Sequence, residues 1–106
     1  MFPQTRLRRL RRQSLRPLFT ETQVTINDLI MPLFFVEGVD EKVPITSMPG
    51  QFRWPLYAAA DIAKELAGDG IKAVILFGIP KVKDAGASAA FASDGVIQEA
   101  TRAMKA

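Results

Sequence analysis

Two polar clusters in this chain contain the residue types that could do chemistry, and each follows an apolar run. Lys81, Lys83 and Asp84 come after the run IKAVILFGIP. Amines and a carboxylate at this place indicate a ligand-binding loop, because β/α folds place ligands at the carboxyl ends of their strands. Asp40 and Glu41 could bind a cation, but adjacent acids without further regularly spaced oxygen ligands are more typical of a solvated loop. The sequence therefore favours the later loop as the place for a ligand.

The composition excludes several kinds of site. The 106 residues include no cysteine and no histidine, so the chain has no disulfide, thiol nucleophile, imidazole base or Cys/His zinc site of its own. Any metal or base chemistry must use carboxylates, lysines or residues outside this sequence. With 48% hydrophobic residues the chain is within the size range of one small domain. No apolar run reaches the roughly 18 residues of a membrane span, so no membrane partner is expected.

Apolar runs alternate with helical patterns, which predicts an α/β fold. The run LIMPLFFVEG, residues 29–38, predicts a strand buried on both faces. Pro32 is expected near the beginning of this strand, because proline cannot donate to a sheet ladder. Residues 39–50 predict a surface loop that ends in a type II turn at Pro49 and Gly50.

Two helices and a second strand are predicted next. Pro55 is expected in the first turn of a helix over residues 56–66, which the sequence Gly-Asp-Gly at 68–70 ends. Residues 71–77 predict a second buried strand, parallel to the first. The sequence Ser93-Asp94-Gly95 is expected to cap a helix over residues 96–105. The resulting two-stranded parallel sheet has two open edges and makes a poor stand-alone domain.

The net charge of +3 comes from the amino terminus alone. Residues 1–17 contain six arginines and no acid, whereas the remainder has eight basic and eleven acidic side chains. Three interpretations stay open: a nucleic-acid-binding arm, a cleaved organelle presequence, and an arm that packs on an acidic partner surface. Nucleic-acid arms usually include lysines and several stacking aromatic residues. Only Phe2 and Phe19 flank this cluster, which argues against a nucleic-acid partner.

Four segments together carry a family resemblance. LIMPLFFVEG, PITSMPGQFRWPL, AGDGIKAVILFGIP and KVKDAGASAAFASDGVIQEATRAMK occur in this order, and the match runs in register from about Arg6 to Ala106. The SMPG turn alone is common, but SMPG followed by Arg53, a helix, LFGIP and a Lys-Asp pair is specific. The chain resembles the amino-terminal portion of the porphobilinogen synthase family, also called 5-aminolevulinate dehydratase.

The resemblance implies a fold and an activity. Members of this family are TIM (β/α)8 barrels with an amino-terminal arm. They are hydro-lyases of tetrapyrrole (haem) biosynthesis that condense two molecules of 5-aminolevulinate to porphobilinogen. By this comparison, residues 1–20 are the basic arm and residues 21–106 are the first two β/α units of an incomplete barrel. A barrel needs about 250 residues, so the segment alone is expected to be inactive and poorly folded.

The resemblance gives this chain no catalytic, cofactor-binding or metal-binding residue. The Schiff-base lysines and the ligands for zinc or magnesium belong to later strands of the family. Lys81 and Lys83 lie beside Asp84, which favours a charged amine, so neither is expected to be a nucleophile. Lys83 and Asp84 are expected to fix a loop near the barrel mouth. Arg53 is expected to form a surface ion pair or to cap a carbonyl of the SMPG turn.

One residue departs from the family pattern. Where the family has KD-x-x-GS, this chain has alanine at position 87 in place of the glycine. Alanine disfavours a positive φ, so this substitution puts the conformation of the loop in question.

The resemblance also gives the basic arm a partner. In the family the arm wraps a neighbouring subunit of a homo-oligomer, so a group of arginines is expected to contact carboxylates on an adjacent barrel. These are Arg6, Arg8, Arg9, Arg11 and Arg12. The alternative function is a non-catalytic truncated copy that acts as an assembly partner of the full-length enzyme. The lack of cysteine and of an obvious secretory signal favours the cytoplasm, with a plastid or mitochondrial origin as the competitor.

Overall fold

The computed structural model of this chain describes residues 14–106. The five arginines expected to contact a neighbouring subunit lie outside the described residues, so the arm boundary at residue 20 stays a prediction. The strands are β1 (Ile30–Val36), β2 (Val43–Pro44), β3 (Phe52–Pro55) and β4 (Ala73–Ile79), and the helices are α1 (Ala59–Gly68) and α2 (Val96–Lys105). Short 3₁₀ turns lie at Arg16–Phe19, Ile26–Asp28, Leu56–Ala58 and Ser88–Ala90.

The four strands form one mixed sheet in the order β2-β3-β1-β4. The two strands predicted from the apolar runs, β1 and β4, pair in parallel, as expected. The prediction of a two-stranded sheet was wrong, because β3 adds to the other edge of β1 in parallel and β2 pairs antiparallel with β3. The predicted turn is present between β2 and β3: Gln51 N donates to Met48 O over 3.0 Å and Gly50 has φ +85°, as a type II turn requires.

Pro32 lies near the beginning of β1, as predicted, although β1 is a central strand. β3 pairs with β1 only from Phe34 onwards, so Pro32 lies in the part of β1 that pairs with β4 alone. A proline is tolerated there because one side of the strand has no ladder to maintain.

Both helices pack on one face of the sheet, and the core lies between them. Leu33 and Phe35 of β1 are buried there against Ile62 of α1 and Val96 of α2. The opposite face carries no helix, so the expectation that β1 is buried on both faces was wrong. β4 was also expected to be buried, and most of its residues are instead exposed, because it is an edge strand with one uncovered face.

The helices begin and end close to the predicted positions. Pro55 is the last residue of β3 rather than part of the helix, and a 3₁₀ turn precedes α1. Gly70 N and Ile71 N donate to Ala67 O and Leu66 O and close the end of α1. Ile71 is thereby used by the helix end, so β4 begins two residues later than predicted. α2 has its predicted bounds, and its N-cap is Gly95, the last residue of the predicted cap, with no side-chain capping hydrogen bond at this end.

Membrane spans were searched only in the described part of the chain. No helix there is long and apolar enough to cross a bilayer.

Candidate functional site

The carboxyl ends of β1, β3 and β4 meet at one edge of the sheet. These three strands are parallel, so the segments that follow them lie side by side. Residues 37–42 follow β1 and are called the β1 loop below, Tyr57 follows β3, and residues 80–88, the β4 loop, follow β4. Ligand sites of parallel β/α folds form at this edge, which makes it the candidate site.

Asp84 organises the β4 loop. Its carboxylate accepts a hydrogen bond from Ser88 N over 2.9 Å and a second, short one from the Ser88 hydroxyl. These donors stabilise the ionised carboxylate, so the Ser88 hydroxyl first and the Ser88 N–H second lower the pKa of Asp84 below its ordinary value. Asp84 is exposed, so solvent weakens the effect.

Ala87 adopts a left-handed conformation, which an alanine disfavours. Its φ of 50° makes it the one non-glycine residue with a positive φ among residues 14–106. Ala87 N donates to Asp84 O over 3.2 Å, and Ser88 on its other side is bound to the Asp84 carboxylate. The turn thus has a backbone conformation typical of glycine although the residue is alanine. The alanine Cβ is strained there, because it lies close to the following carbonyl oxygen in the left-handed region.

The predicted site lysines lie in the same loop, but they are not paired with Asp84. Lys83 and Asp84 line a cavity of about 420 Å³ whose other walls include Gly78, Val82 and Ile97. The only ion pair among residues 14–106 joins Arg102 to Glu99, both in α2. Of the two residues, only Asp84 has hydrogen bonds within the loop, and it accepts them from Ser88. The loop-fixing role expected of Lys83 and Asp84 therefore stays a prediction.

Arg53 follows the SMPG turn by three residues. It is an exposed residue of β3, opposite Phe34 of β1 and Val43 of β2. Within the described part of the chain its guanidinium has neither an ion pair nor a hydrogen bond to a carbonyl of the turn. Its structural role stays a prediction.

Residues that sequence reasoning missed hold the β1 loop. Glu37 Oε2 accepts a hydrogen bond from Lys81 N over 2.9 Å, and the Tyr57 hydroxyl donates to Asp40 O over 2.7 Å. Glu37 could have been singled out as the first residue after an apolar strand, the same signal that drew attention to Lys81. Tyr57 had no such signal, because β3 was not predicted.

A second cavity lies beside the β1 loop. It measures about 510 Å³ and is lined by Glu41, Lys42, Trp54, Pro55, Tyr57 and Ala58. Lys42 Nζ lies 4.4 Å from the centroid of the Phe52 ring and 5.4 Å from that of Trp54, within the range of cation–π attraction. Among residues 14–106 there is no group of three or more acidic, histidine or cysteine side chains that could hold a metal ion.

Known proteins match this chain over nearly its whole length. The family model described as delta-aminolevulinic acid dehydratase matches residues 4–106. Proteins of that name from Methanothermus sociabilis and Synechocystis sp. are 44% and 45% identical over 105 and 106 residues. These alignments cover 98% and 99% of this chain but 33% and 32% of the relatives.

A solved structure agrees with the sequence match. Delta-aminolevulinic acid dehydratase (porphobilinogen synthase) from Toxoplasma gondii ME49, crystallised with the reaction product porphobilinogen, is similar with a TM-score of 0.80 and 37% identity. The similarity covers 97% of this chain and 30% of that one, so the chain spans about a third of the length of its relatives. The chain belongs to the delta-aminolevulinic acid dehydratase family.

Proposed function

We propose that this chain is the amino-terminal third of an enzyme that condenses two molecules of 5-aminolevulinate to porphobilinogen. The observation that carries the proposal is the match to the family model over residues 4–106, together with the structural likeness to a relative that holds porphobilinogen. The complete protein is then a lyase of tetrapyrrole biosynthesis. Its substrate is a small molecule, and its chemistry requires residues beyond Ala106.

We also propose that residues 21–106 form the first two β/α units of a (β/α)8 barrel. The helix-free face of the sheet supports this, because it is apolar and uncovered. Phe34 of β1 and Phe77 of β4 stack on this face, and Ile75 and Phe77 are about half exposed, 47% and 44%. In a barrel such a face becomes the packed interior once the remaining strands close over it.

The proposed mechanism needs neutral amines that the described residues do not provide. A lysine that forms a Schiff base must lose its proton, which a desolvated or cation-flanked pocket favours. Lys81 and Lys83 are exposed to solvent and so do not lie in such a pocket. We therefore assign the Schiff-base lysines to the remainder of the complete protein, and the zinc or magnesium ligands as well.

The arginine-rich start is proposed to bind a neighbouring subunit of a homo-oligomer. Residues 14–30 are all exposed, including the apolar side chains Leu18, Phe19 and Val24. Apolar side chains left in water next to a basic segment favour a protein surface as their partner. We place this assembly in the cytoplasm, in keeping with the sequence expectation.

Reading the nucleotide sequence beyond the Ala106 codon is the first test. An open frame that continues into further β/α units, expressed whole and purified, should form porphobilinogen from 5-aminolevulinate. A continuing frame whose purified product forms none would overturn the proposed activity. A stop codon at this place would instead favour the non-catalytic truncated copy, which predicts that residues 1–106 co-purify with a full-length enzyme of the family.

A further inference from the structure

The β1 loop is held at three points by residues of β3 and β4 or of the segments that follow these strands. At its start, Glu37 Oε2 accepts from Lys81 N in the β4 loop, and Glu37 N donates to Ile79 O over 3.0 Å. In its middle, Asp40 O accepts from the Tyr57 hydroxyl, just after β3. At its end, Lys42 lies over the Phe52 ring. The six residues of the β1 loop thus have contacts on the β4 side and on the β3 side of β1.

Such a loop has little freedom left to lose when a ligand binds against it. Ordering a loop residue costs conformational entropy, and contacts made within the protein offset this cost before a ligand arrives. A carboxylate acceptor is also among the stronger hydrogen-bond partners of a backbone N–H. The contacts of Glu37 and Tyr57 therefore preorganise the edge at which parallel β/α folds bind ligands.

We propose that Glu37 and Tyr57 are positioning residues, which fix the β1 and β4 loops as a wall of the substrate site. This inference rests on the proposed function. Neither residue is expected to touch the reacting atoms. Glu37 acts through Lys81 N, and Tyr57 acts through the carbonyl of Asp40.

The test uses the complete enzyme with Glu37→Ala, Glu37→Gln and Tyr57→Phe. Glu37→Ala and Tyr57→Phe each remove one hydrogen bond, which is worth about 0.5–1.5 kcal/mol or about a 2- to 12-fold change in an equilibrium. We expect the KM for 5-aminolevulinate to rise about 3- to 10-fold with kcat within about twofold, because a wall contributes binding to ground state and transition state alike. Glu37→Gln keeps an acceptor oxygen and should restore most of the KM.

The control is Glu65→Ala, on the solvent-exposed side of α1, which should leave both constants unchanged. A variant that lowers kcat at an unchanged KM has merely lost folded enzyme, and this result would overturn the inference. Hydrogen exchange of the peptide that contains Lys81 N gives a readout independent of turnover. Exchange there should become about 3- to 10-fold faster in Glu37→Ala and stay near the wild-type rate in Glu37→Gln.

The two proposals fail in different ways. If the wild-type complete chain does not form porphobilinogen from 5-aminolevulinate, the proposed function is wrong. The hydrogen-exchange experiment still decides whether Glu37 holds the β4 loop. An unchanged exchange rate at Lys81 in Glu37→Ala overturns the positioning role whatever the turnover is.

Discussion

Phe34 and Phe77 stack with ring centroids 5.2 Å apart on the face of the sheet that carries no helix. The two residues are directly opposite each other in the parallel register of β1 and β4. A stacked aromatic pair that is partly exposed to water forms an apolar surface on which further protein segments can pack. This relationship connects the fold of the chain to its place in a larger barrel.

Substitution of Phe77 by alanine should improve the solubility of the short chain but lower the stability of the complete chain. In residues 1–106 alone, Phe77→Ala removes exposed apolar surface and should increase the soluble fraction after expression. In the complete protein the same change leaves a cavity in a packed interior and should cost about 3–5 kcal/mol of unfolding free energy. Phe91→Ala is the matched control, because Phe91 is 77% exposed in the β4 to α2 segment. Equal, small effects of Phe77→Ala in both chains would contradict the barrel.

Ala87→Gly should stabilise the protein. Glycine adopts the positive φ of this position without the steric cost of a side chain, but loses more conformational entropy on folding. The expected net gain is up to about 1 kcal/mol in unfolding free energy, measured by urea denaturation of the complete chain. Ala90→Gly, in the nearby 3₁₀ turn, should be destabilising instead. A loss of stability in Ala87→Gly would show that the turn does not have this conformation.

Asp84 should make stability depend on pH in the acid range. Its folded pKa is lowered, so its contribution is fully present above the ordinary pKa of an aspartate, about 4, and is lost as the pH falls through the folded value. The denaturation midpoint of the wild type should therefore fall more steeply below about pH 4 than that of Asp84→Ala. Ser88→Ala removes the hydroxyl that lowers the pKa most and should reduce the steepness as well. Identical profiles for wild type and Asp84→Ala would contradict the account of this loop.

Neutralising the arm should reduce the size of the assembly. The variant replaces five arginines by serine and is studied by light scattering at low salt, where charge pairs are least screened. These are Arg6, Arg8, Arg9, Arg11 and Arg12. Arg102→Ser is the control, since this arginine pairs with Glu99 within α2. An assembly of unchanged mass in the five-fold variant would remove the subunit-contact role.

The long elements could be predicted from the sequence because local patterns determine them. The apolar run around Leu33 and Phe35 marks β1, and the spacing of Val96 and Ala100 marks the buried side of α2. The short strands β2 and β3 were not predicted. They have two and four residues and each contains a proline, so neither has a detectable hydrophobic periodicity. Their pairing depends on contacts between residues distant in the chain.

The exposure of β4 and the partners of the β1 loop residues could not be predicted from the sequence, for different reasons. The sequence pattern of an apolar strand is the same whether or not a second layer covers the strand. The exposure of Phe77 could therefore not be predicted from the sequence. The hydrogen bond between Glu37 and Lys81 joins residues 44 positions apart. It follows from the parallel pairing of β1 and β4, once that register is known.

We assign the reactive lysines to positions beyond Ala106, and trapping the Schiff base shows on which lysines the substrate is held. The complete enzyme is incubated with 5-aminolevulinate, reduced with borohydride, digested, and its modified peptides are identified by mass spectrometry. We expect a reduced adduct only on lysines after residue 106. An adduct on Lys81 or Lys83 would contradict it.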